Sequence, residues 1–254
     1  MIELINGDCL DVLPSWGKKV DLVLTDMPYG TTKCKWDVLL PLDKVWDVLE
    51  EVTLENTPIV LFGAEPFSSL LRSSNLKMYK YDWYWNKKHG ANFAQANKRP
   101  LNVIETISVF YKKPPIYNAQ KEQNPKGEEK RQKYAPSKQK EVFVGQVAMA
   151  NDFTKAGSKY EADKLLPRSL ITFSREHKPI HPTQKPLDLL EYLIKTYTNE
   201  GDTVLDFTVG SGSTCIAAEA LGRNSIGIEK DESIYRQARL RINTYLLTVG
   251  KPQI

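Results

Sequence analysis

With 254 residues, 41% of them hydrophobic and 26% charged, the chain can bury a full core and reads as a soluble globular protein of one large domain, or one with an insertion. No apolar run reaches membrane-spanning length, and the N-terminal stretch with Glu3 and Asp8 lacks the basic and apolar regions of a secretory signal. The net charge of +4 is uneven: residues 112–179 hold 15 Lys and Arg against 8 Asp and Glu, a net of +7, and the remainder sums to −3.

Short apolar segments alternate with helical stretches, which predicts a mostly parallel α/β sheet. In chain order the pattern gives strands at 2–6 and 21–25, a helix at 42–52, a strand at 58–62, a helix at 66–74, and strands at 81–85 and 106–111. The last third gives a helix at 187–198, a strand at 203–206, a helix at 213–221, a strand at 225–229 and a helix at 232–247. Leu187, Leu190, Ile194 and Tyr197 share one face at helical spacing, behind Pro186 at the first helical position. Ile234, Ala238, Ile242 and Tyr245 form a similar stripe, and both stripes are read as core. Trp83 and Trp85 lie on one side of their strand and are also expected in the core.

Between residues 112 and 179 this pattern breaks, and 120–140 is almost entirely polar, with Pro125 and Gly127 inside it. An inserted module or loop between two halves of one sheet domain is expected, with boundaries at 1–111, 112–180 and 181–254. Its positive excess suits a polyanion, although a solvated loop has the same composition. Cys9, Cys34 and Cys215 form no C-x-x-C pair, and with only three His residues a zinc site is not expected. Reduced thiols in a cytoplasmic protein are the simplest reading.

Two segments carry chemistry. Asp26, Met27, Pro28 and Tyr29 follow an uncharged strand, and a carboxylate at a strand's C-terminal edge lies where open α/β sheets bind ligands. The Asp26 carboxylate and the Met27 carbonyl can both accept from one exocyclic amino group while Tyr29 stacks on the ring bearing it. Such acceptance pushes lone-pair density onto the nitrogen as it attacks an electrophilic methyl, and no covalent nucleophile is needed.

The second segment, Asp206-Phe207-Thr208-Val209-Gly210-Ser211-Gly212, follows an apolar strand and precedes a helix. Glycine permits a tight turn and close ligand approach. The next strand ends in Glu229, placed to accept from both ribose hydroxyls of a nucleoside. A phosphate-binding Gly-Lys-Ser/Thr ending is absent, and Ser213 stands where a dinucleotide fold has its third Gly. A structural βα turn or a nucleoside without a pyrophosphate, such as S-adenosylmethionine, remains.

Together these segments make the chain similar to the β-group amino (adenine-N6 or cytosine-N4) DNA methyltransferases, whose catalytic signature is Asp-Pro-Pro-Tyr. The order matches that group over about three quarters of the chain: catalytic motif, target-recognition region, cofactor loop. His181-Pro182-Thr183-Gln184-Lys185-Pro186, Asn6-Gly7-Asp8-Cys9, Trp85-Asn86-Lys87 and Glu105-Thr106-Ile107 resemble further family segments. One residue departs: Met27 stands at the usual first proline, where a main-chain carbonyl would serve. Asp rather than Ser at position 26 resembles the adenine-N6 enzymes, with cytosine-N4 as the alternative. Methylation of an RNA base or protein amide, and a non-catalytic nucleic-acid binder, are more distant alternatives.

The resemblance implies a Rossmann-like S-adenosylmethionine-dependent methyltransferase fold in circularly permuted order with an inserted target-recognition region. It places Asp8 at the cofactor adenine, Glu229 at its ribose, and Asp206, Gly210, Ser211, Gly212 and Thr214 around the methionine part, with Lys185 near the carboxylate. Cys9, Asp26, Phe207, Ser213 and Lys230 complete the expected cofactor contacts. Trp36 and Asp37, after the catalytic turn, could cover a target pocket or pack on the surface. Lys130, Arg131, Lys133, Arg168 and Arg175 are the expected contacts to double-stranded DNA. A homodimer and a cognate restriction endonuclease are compatible with the resemblance, and neither a metal nor a membrane is expected.

Overall fold

The computed structural model describes residues 1–30, 34, 37–91, 93, 96–123, 164–176 and 184–254. They fall into two compact units, residues 1–118 with 168–254, and residues 119–167. In the smaller unit β6 (Glu122–Gln123) pairs antiparallel with β7 (Lys164–Leu165).

In the larger unit the chain runs β1 (Ile2–Asn6), α1 (Cys9–Trp16), β2 (Leu22–Thr25), α2 (Leu42–Val52), β3 (Ile59–Gly63), α3 (Phe67–Ser74), β4 (Tyr79–Ala91) and β5 (Asn102–Phe110). It continues through β8 (Leu170–Thr172), α4 (Leu187–Tyr197), β9 (Thr203–Asp206), α5 (Ser213–Ala220), β10 (Asn224–Glu229) and α6 (Glu232–Thr248). The eight-stranded sheet has the order β1-β10-β9-β2-β3-β5-β4-β8. The β1-to-β3 block is parallel, β5 is antiparallel to both β3 and β4, and β8 is parallel to β4.

Every residue of β2 and β3 is buried, which explains their continuous apolar sequence: helices cover both faces of a parallel strand. On one face Val23, Ile59, Leu61 and Leu205 pack with Val45, Leu49 and Val52 of α2. On the other, Leu22, Leu24, Val60 and Val204 pack with Leu190, Ile194 and Tyr197 of α4. Trp83 and Trp85 join this second cluster, and the Trp83 indole donates to the Tyr197 hydroxyl at 2.7 Å. Ala238 and Ile242 of α6 are also buried.

The sequence pattern misses α1. Pro14 lies inside this eight-residue helix and removes one backbone donor. The Asp8 side chain caps the start by accepting from the Leu10 N–H, and Gly17 closes the end at a φ of 68°. The strand β4 is also longer than its apolar segment, because its polar continuation pairs with β5. Among the described residues no helix is long and apolar enough to cross a membrane.

The β9–β2 pair positions the site. Leu22 lies opposite Val204 and Val23 opposite Leu205. One register therefore brings the turns after Thr25 and Asp206 to the same sheet edge. From β9 the chain crosses to β10, from β2 to β3 on the other side, so the ligand-binding crevice of a doubly wound sheet is expected here.

Candidate active site

A cleft of about 400 Å³, counting its open mouth, lies at this edge, bounded by Asp26, Phe62, Lys185, Asp206, Gly210 and Thr214 among others. The turn after β2 contributes a carboxylate with both oxygens engaged. Tyr29 donates its hydroxyl to Asp26 Oδ1 at 2.5 Å, and Lys185 donates its ammonium to Oδ2 at 2.5 Å. Each carboxylate oxygen still has a lone pair to offer. The Thr208 hydroxyl donates to the Asp26 main-chain oxygen at 3.3 Å. Tyr29 stacks on Phe67 with ring centroids 4.9 Å apart, so one of its two faces is covered.

Met27 is 2% exposed and lies among the core residues with Phe67 and Phe207. An apolar side chain of this size is anchored by burial, so hydrophobic packing supports the turn where ring rigidity would otherwise do so. Pro28 is half-buried. Downstream, the Gly30 N–H donates to Asp37 Oδ1 at 2.8 Å, and Trp36 lies outside the described residues.

Lys185 sits among carboxylates. Its ammonium is 3.4 Å from Glu105 Oε2 and lies 5.0 Å from the centroid of the Phe62 ring. Lys87 donates to Glu105 Oε1 at 2.9 Å. Burial pushes the Asp26 carboxyl up, with Lys185 pulling it partly back. Burial would lower the Lys185 ammonium, but Asp26 and Glu105 outweigh it and hold it above the usual lysine range. Burial also acts on Glu105, where Lys185 and Lys87 prevail and keep the carboxyl low.

The turn after β9 is tied from within. Thr25 and Thr208 donate to Asp206 Oδ1, the latter through its N–H at 3.2 Å, and the Thr214 hydroxyl donates to Oδ2 at 2.6 Å. Burial raises this carboxyl to about 6 despite those donors. Gly212 caps α5 at a φ of 78°, and a Cβ there would lie 2.9 Å from Ile242. Both facts call for glycine. Ser211 and Ser213 share a contact at 3.1 Å, and Arg241 of α6 donates to the Ser211 carbonyl at 2.9 Å and the Ser213 hydroxyl at 2.7 Å.

At the end of β10, Glu229 accepts from the Gly210 N–H at 3.1 Å and the Asp231 N–H at 2.9 Å, while burial raises its carboxyl. Asp8 lies nearby: the Lys230 ammonium donates to its Oδ2 at 2.8 Å, and that hydrogen bond lowers the Asp8 carboxyl. The side chains of Cys9 and Phe207 are in the core, which leaves their main chains as the groups a ligand could touch. Burial pushes the Cys9 thiol up to about 12, an environment for an inert thiol.

The fold thus brings Asp26, Lys185, Asp206, Gly210, Ser211, Ser213 and Thr214 to one cleft. The segment preceding the cofactor loop is described only from Gln184 onward, and Lys130, Arg131 and Lys133 also lie outside the described residues. Arg168 and Arg175 are exposed and flank β8. Sequence reasoning left Arg241 unassigned and gave Lys87 and Glu105 no role. Their partners are 30, 18 and 80 residues away, beyond any local pattern. Among the described residues no cluster of His, Cys, Asp and Glu is arranged to hold a metal ion.

A DNA methylase family model of the N6/N4 type matches residues 20–240. YubD of Escherichia coli (strain K12), named as a methylase, is 47% identical over 244 residues, 95% of this chain and 90% of that protein. The Type II methyltransferase M1.MboII of Moraxella bovis is 28% identical over 260 residues, 93% and 94% of the two chains. Among solved structures, the M1.HpyAVI–SAM complex aligns with a TM-score of 0.63 and 24% identity over 95% of this chain and 100% of that one. The PvuII cytosine-N4-specific DNA methyltransferase aligns with a TM-score of 0.65 and 18% identity over 94% and 86%. The mixed α/β fold is shared with both. The chain belongs to the N6/N4 DNA methylase family.

Proposed function

We propose that this chain transfers a methyl group from S-adenosylmethionine to the exocyclic N6 of an adenine flipped out of duplex DNA, at a defined site as its Type II relatives are named for. The observation that carries this reading is one register: pairing of β2 with β9 sets the Asp26 turn beside the glycine loop at a single cleft.

The residues fit the cofactor. Glu229 is a desolvated carboxylate suited to a ribose diol, Phe62 and Val209 supply apolar wall, and Gly210 lets main chain approach closely. When bound, S-adenosylmethionine supplies an electrophilic methyl on a sulfonium. Asp26 and the Met27 carbonyl accept from the target amino group and orient its lone pair. The face of Tyr29 away from Phe67 would stack on the base.

Asp at position 26 favours adenine; the fold, shared with a cytosine-N4 enzyme, carries no weight on the base. We assign residues 1–111 and 181–254 to the catalytic and cofactor halves and 112–180 to target recognition, on their charge. Phosphate contacts from Lys130, Arg131 and Lys133 would release counterions, so neutralising all three should flatten the salt dependence of DNA binding. The deciding experiment incubates the protein with methyl-labelled cofactor and mixed-sequence duplex DNA, then digests the DNA to nucleosides. N6-methyladenine is expected. N4-methylcytosine would move the target to cytosine, and label in RNA or protein alone would overturn the reading.

A further inference from the structure

Lys87 of β4, Glu105 of β5, Lys185 ahead of α4 and Asp26 of the turn after β2 form a continuous chain of alternating charge. Lys87 meets Glu105 Oε1 at 2.9 Å, Glu105 Oε2 lies 3.4 Å from the Lys185 ammonium, and Lys185 meets Asp26 at 2.5 Å. Two cations and two anions sum to zero. The Lys87 and Lys185 side chains are only 3% and 10% exposed. A buried charge is tolerable only when paired, so each member depends on the next.

The link between Glu105 and Lys185 is the loosest in this chain: Glu105 Oε2 is buried, and its ion-pair partner Lys185 stands 3.4 Å away while the same ammonium meets Asp26 at 2.5 Å. The Lys185 ammonium is thus shared unequally between two carboxylates, and Glu105 offers it a second seat.

We propose that Glu105 is a positioning residue which, anchored by Lys87, competes with Asp26 for the Lys185 ammonium and so sets how much acceptor strength Asp26 keeps for the target amino group. The proposal rests on Asp26 being that acceptor. When the amino group arrives, Lys185 shifts toward Glu105 and the Asp26 carboxylate regains charge as positive charge builds on the nitrogen. The groups facing Asp26 are Tyr29 from its own turn, Lys185 ahead of α4, Glu105 of β5 with Lys87 of β4 behind it, and Asp206 of β9. Of these, Lys185 is the one ammonium in ion-pair reach of both Asp26 and Glu105 among the described residues.

The signs are testable. Glu105 is a like charge to Asp26, so Glu105→Gln should let Asp26 ionise at lower pH, whereas Lys185→Met should make it ionise at higher pH. Lys87→Gln frees Glu105 to hold Lys185 more firmly and should move Asp26 in the same direction as Lys185→Met. Titration of the Asp26 carboxyl by 13C NMR in the cofactor-free full-length protein reads these movements, and the acid limb of the kcat profile should follow them. Glu105→Gln should also lower kcat by roughly tenfold or more, since a displaced catalytic group is sensitive to small shifts. KM for the cofactor should change less than about twofold, and Glu105→Asp should restore the wild-type limb. A purely structural role for Glu105 would lower stability and leave the Asp26 midpoint in place, and that result overturns the proposal. Should Glu105→Gln fail to fold, the direction of the Lys87→Gln shift decides alone, and an unmoved midpoint there refutes it. Full activity of Asp26→Ala would instead defeat the functional reading beneath it.

Discussion

At the end of β2, Asp26 is held by a cation and a phenol, and it borders an open cleft. At the end of β9, on the neighbouring strand, Asp206 is held by two threonine hydroxyls and an N–H. Two aspartates at one sheet edge therefore have different work. Asp206 spends its acceptors stitching β2, β9 and α5 together, and neutral donors leave its carboxyl raised to about 6. Asp26 has a charged partner, Lys185, which under the proposed mechanism yields to the incoming amino group. Both are aspartates at the same sheet edge, Asp206 as the last residue of β9 and Asp26 just after β2, and their partners differ.

The largest effect that separates the two turns is chemical. Asp26→Ala should remove methyl transfer by about 10²–10⁴-fold, the range of a positioned proton-accepting group, while the fold and cofactor affinity change little. Radiolabel incorporation beside calorimetric titration with cofactor reads both numbers. Near-normal transfer would place the acceptor elsewhere and dissolve the contrast.

The second tests Asp206 through pH. Its folded carboxyl is raised from 3.8 to about 6, so between those values the folded state holds a proton that the unfolded chain has lost. Stability therefore falls as pH rises across that window, by roughly 3 kcal/mol for a shift of about two pH units. Asp206→Asn carries no such titration. The stability of the variant relative to wild type should thus improve by about that amount between pH 4 and pH 7, as followed by denaturant unfolding at each pH. A flat difference would mean that Asp206 is not desolvated as its 5% exposure indicates.

Much of this contrast was hidden in the sequence. The strands β2, β3, β9 and β10 were legible because each is a buried apolar run, and Asp26, Gly210 and Glu229 were legible because each ends one. The sequence does not carry the pairing of β2 with β9, which joins residues 22 and 204. Without it, the hydrogen bond from the Thr25 hydroxyl to Asp206 cannot be foreseen, although Asp206 also borders the cleft as expected of a cofactor contact. The same distance hid the partners of Glu105 and Lys87, which the sequence shows only within family-like segments until β4 and β5 bring them together beside Lys185. Short strands such as β8 form only because β4 offers an unpaired edge, and three residues of pattern cannot announce that. Helix α1 was lost to Pro14, which local propensity counts against and the Asp8 cap offsets.

The third prediction concerns the cofactor side alone. Glu229→Ala should weaken S-adenosylmethionine binding by about 2–3 kcal/mol if two charge-assisted hydrogen bonds to the ribose are lost. The same carboxylate accepts from Gly210 and Asp231, so a thermal unfolding measurement must accompany the calorimetry to separate loop disorder from lost ligand contacts. Unchanged affinity would remove Glu229 from the site.

The smallest effect sharpens what holds the second turn rigid. Arg241 reaches from α6 to the Ser211 carbonyl and the Ser213 hydroxyl, and its burial lowers the guanidinium from its usual range. Arg241→Met keeps the apolar stem that packs along α6 and removes only the donors. Loss of these bonds should destabilise the protein by about 1–2 kcal/mol, as judged by denaturant unfolding. Because the residue touches the glycine loop and not the Asp26 turn, KM for the cofactor should rise severalfold while kcat at saturating cofactor stays near wild type, the pattern of lost uniform binding. A fall in kcat with KM unchanged would show that the two turns are mechanically coupled through α5. Asp206, bonded at once to Thr25 at the end of β2 and Thr214 at the start of α5, is a residue through which that coupling can pass.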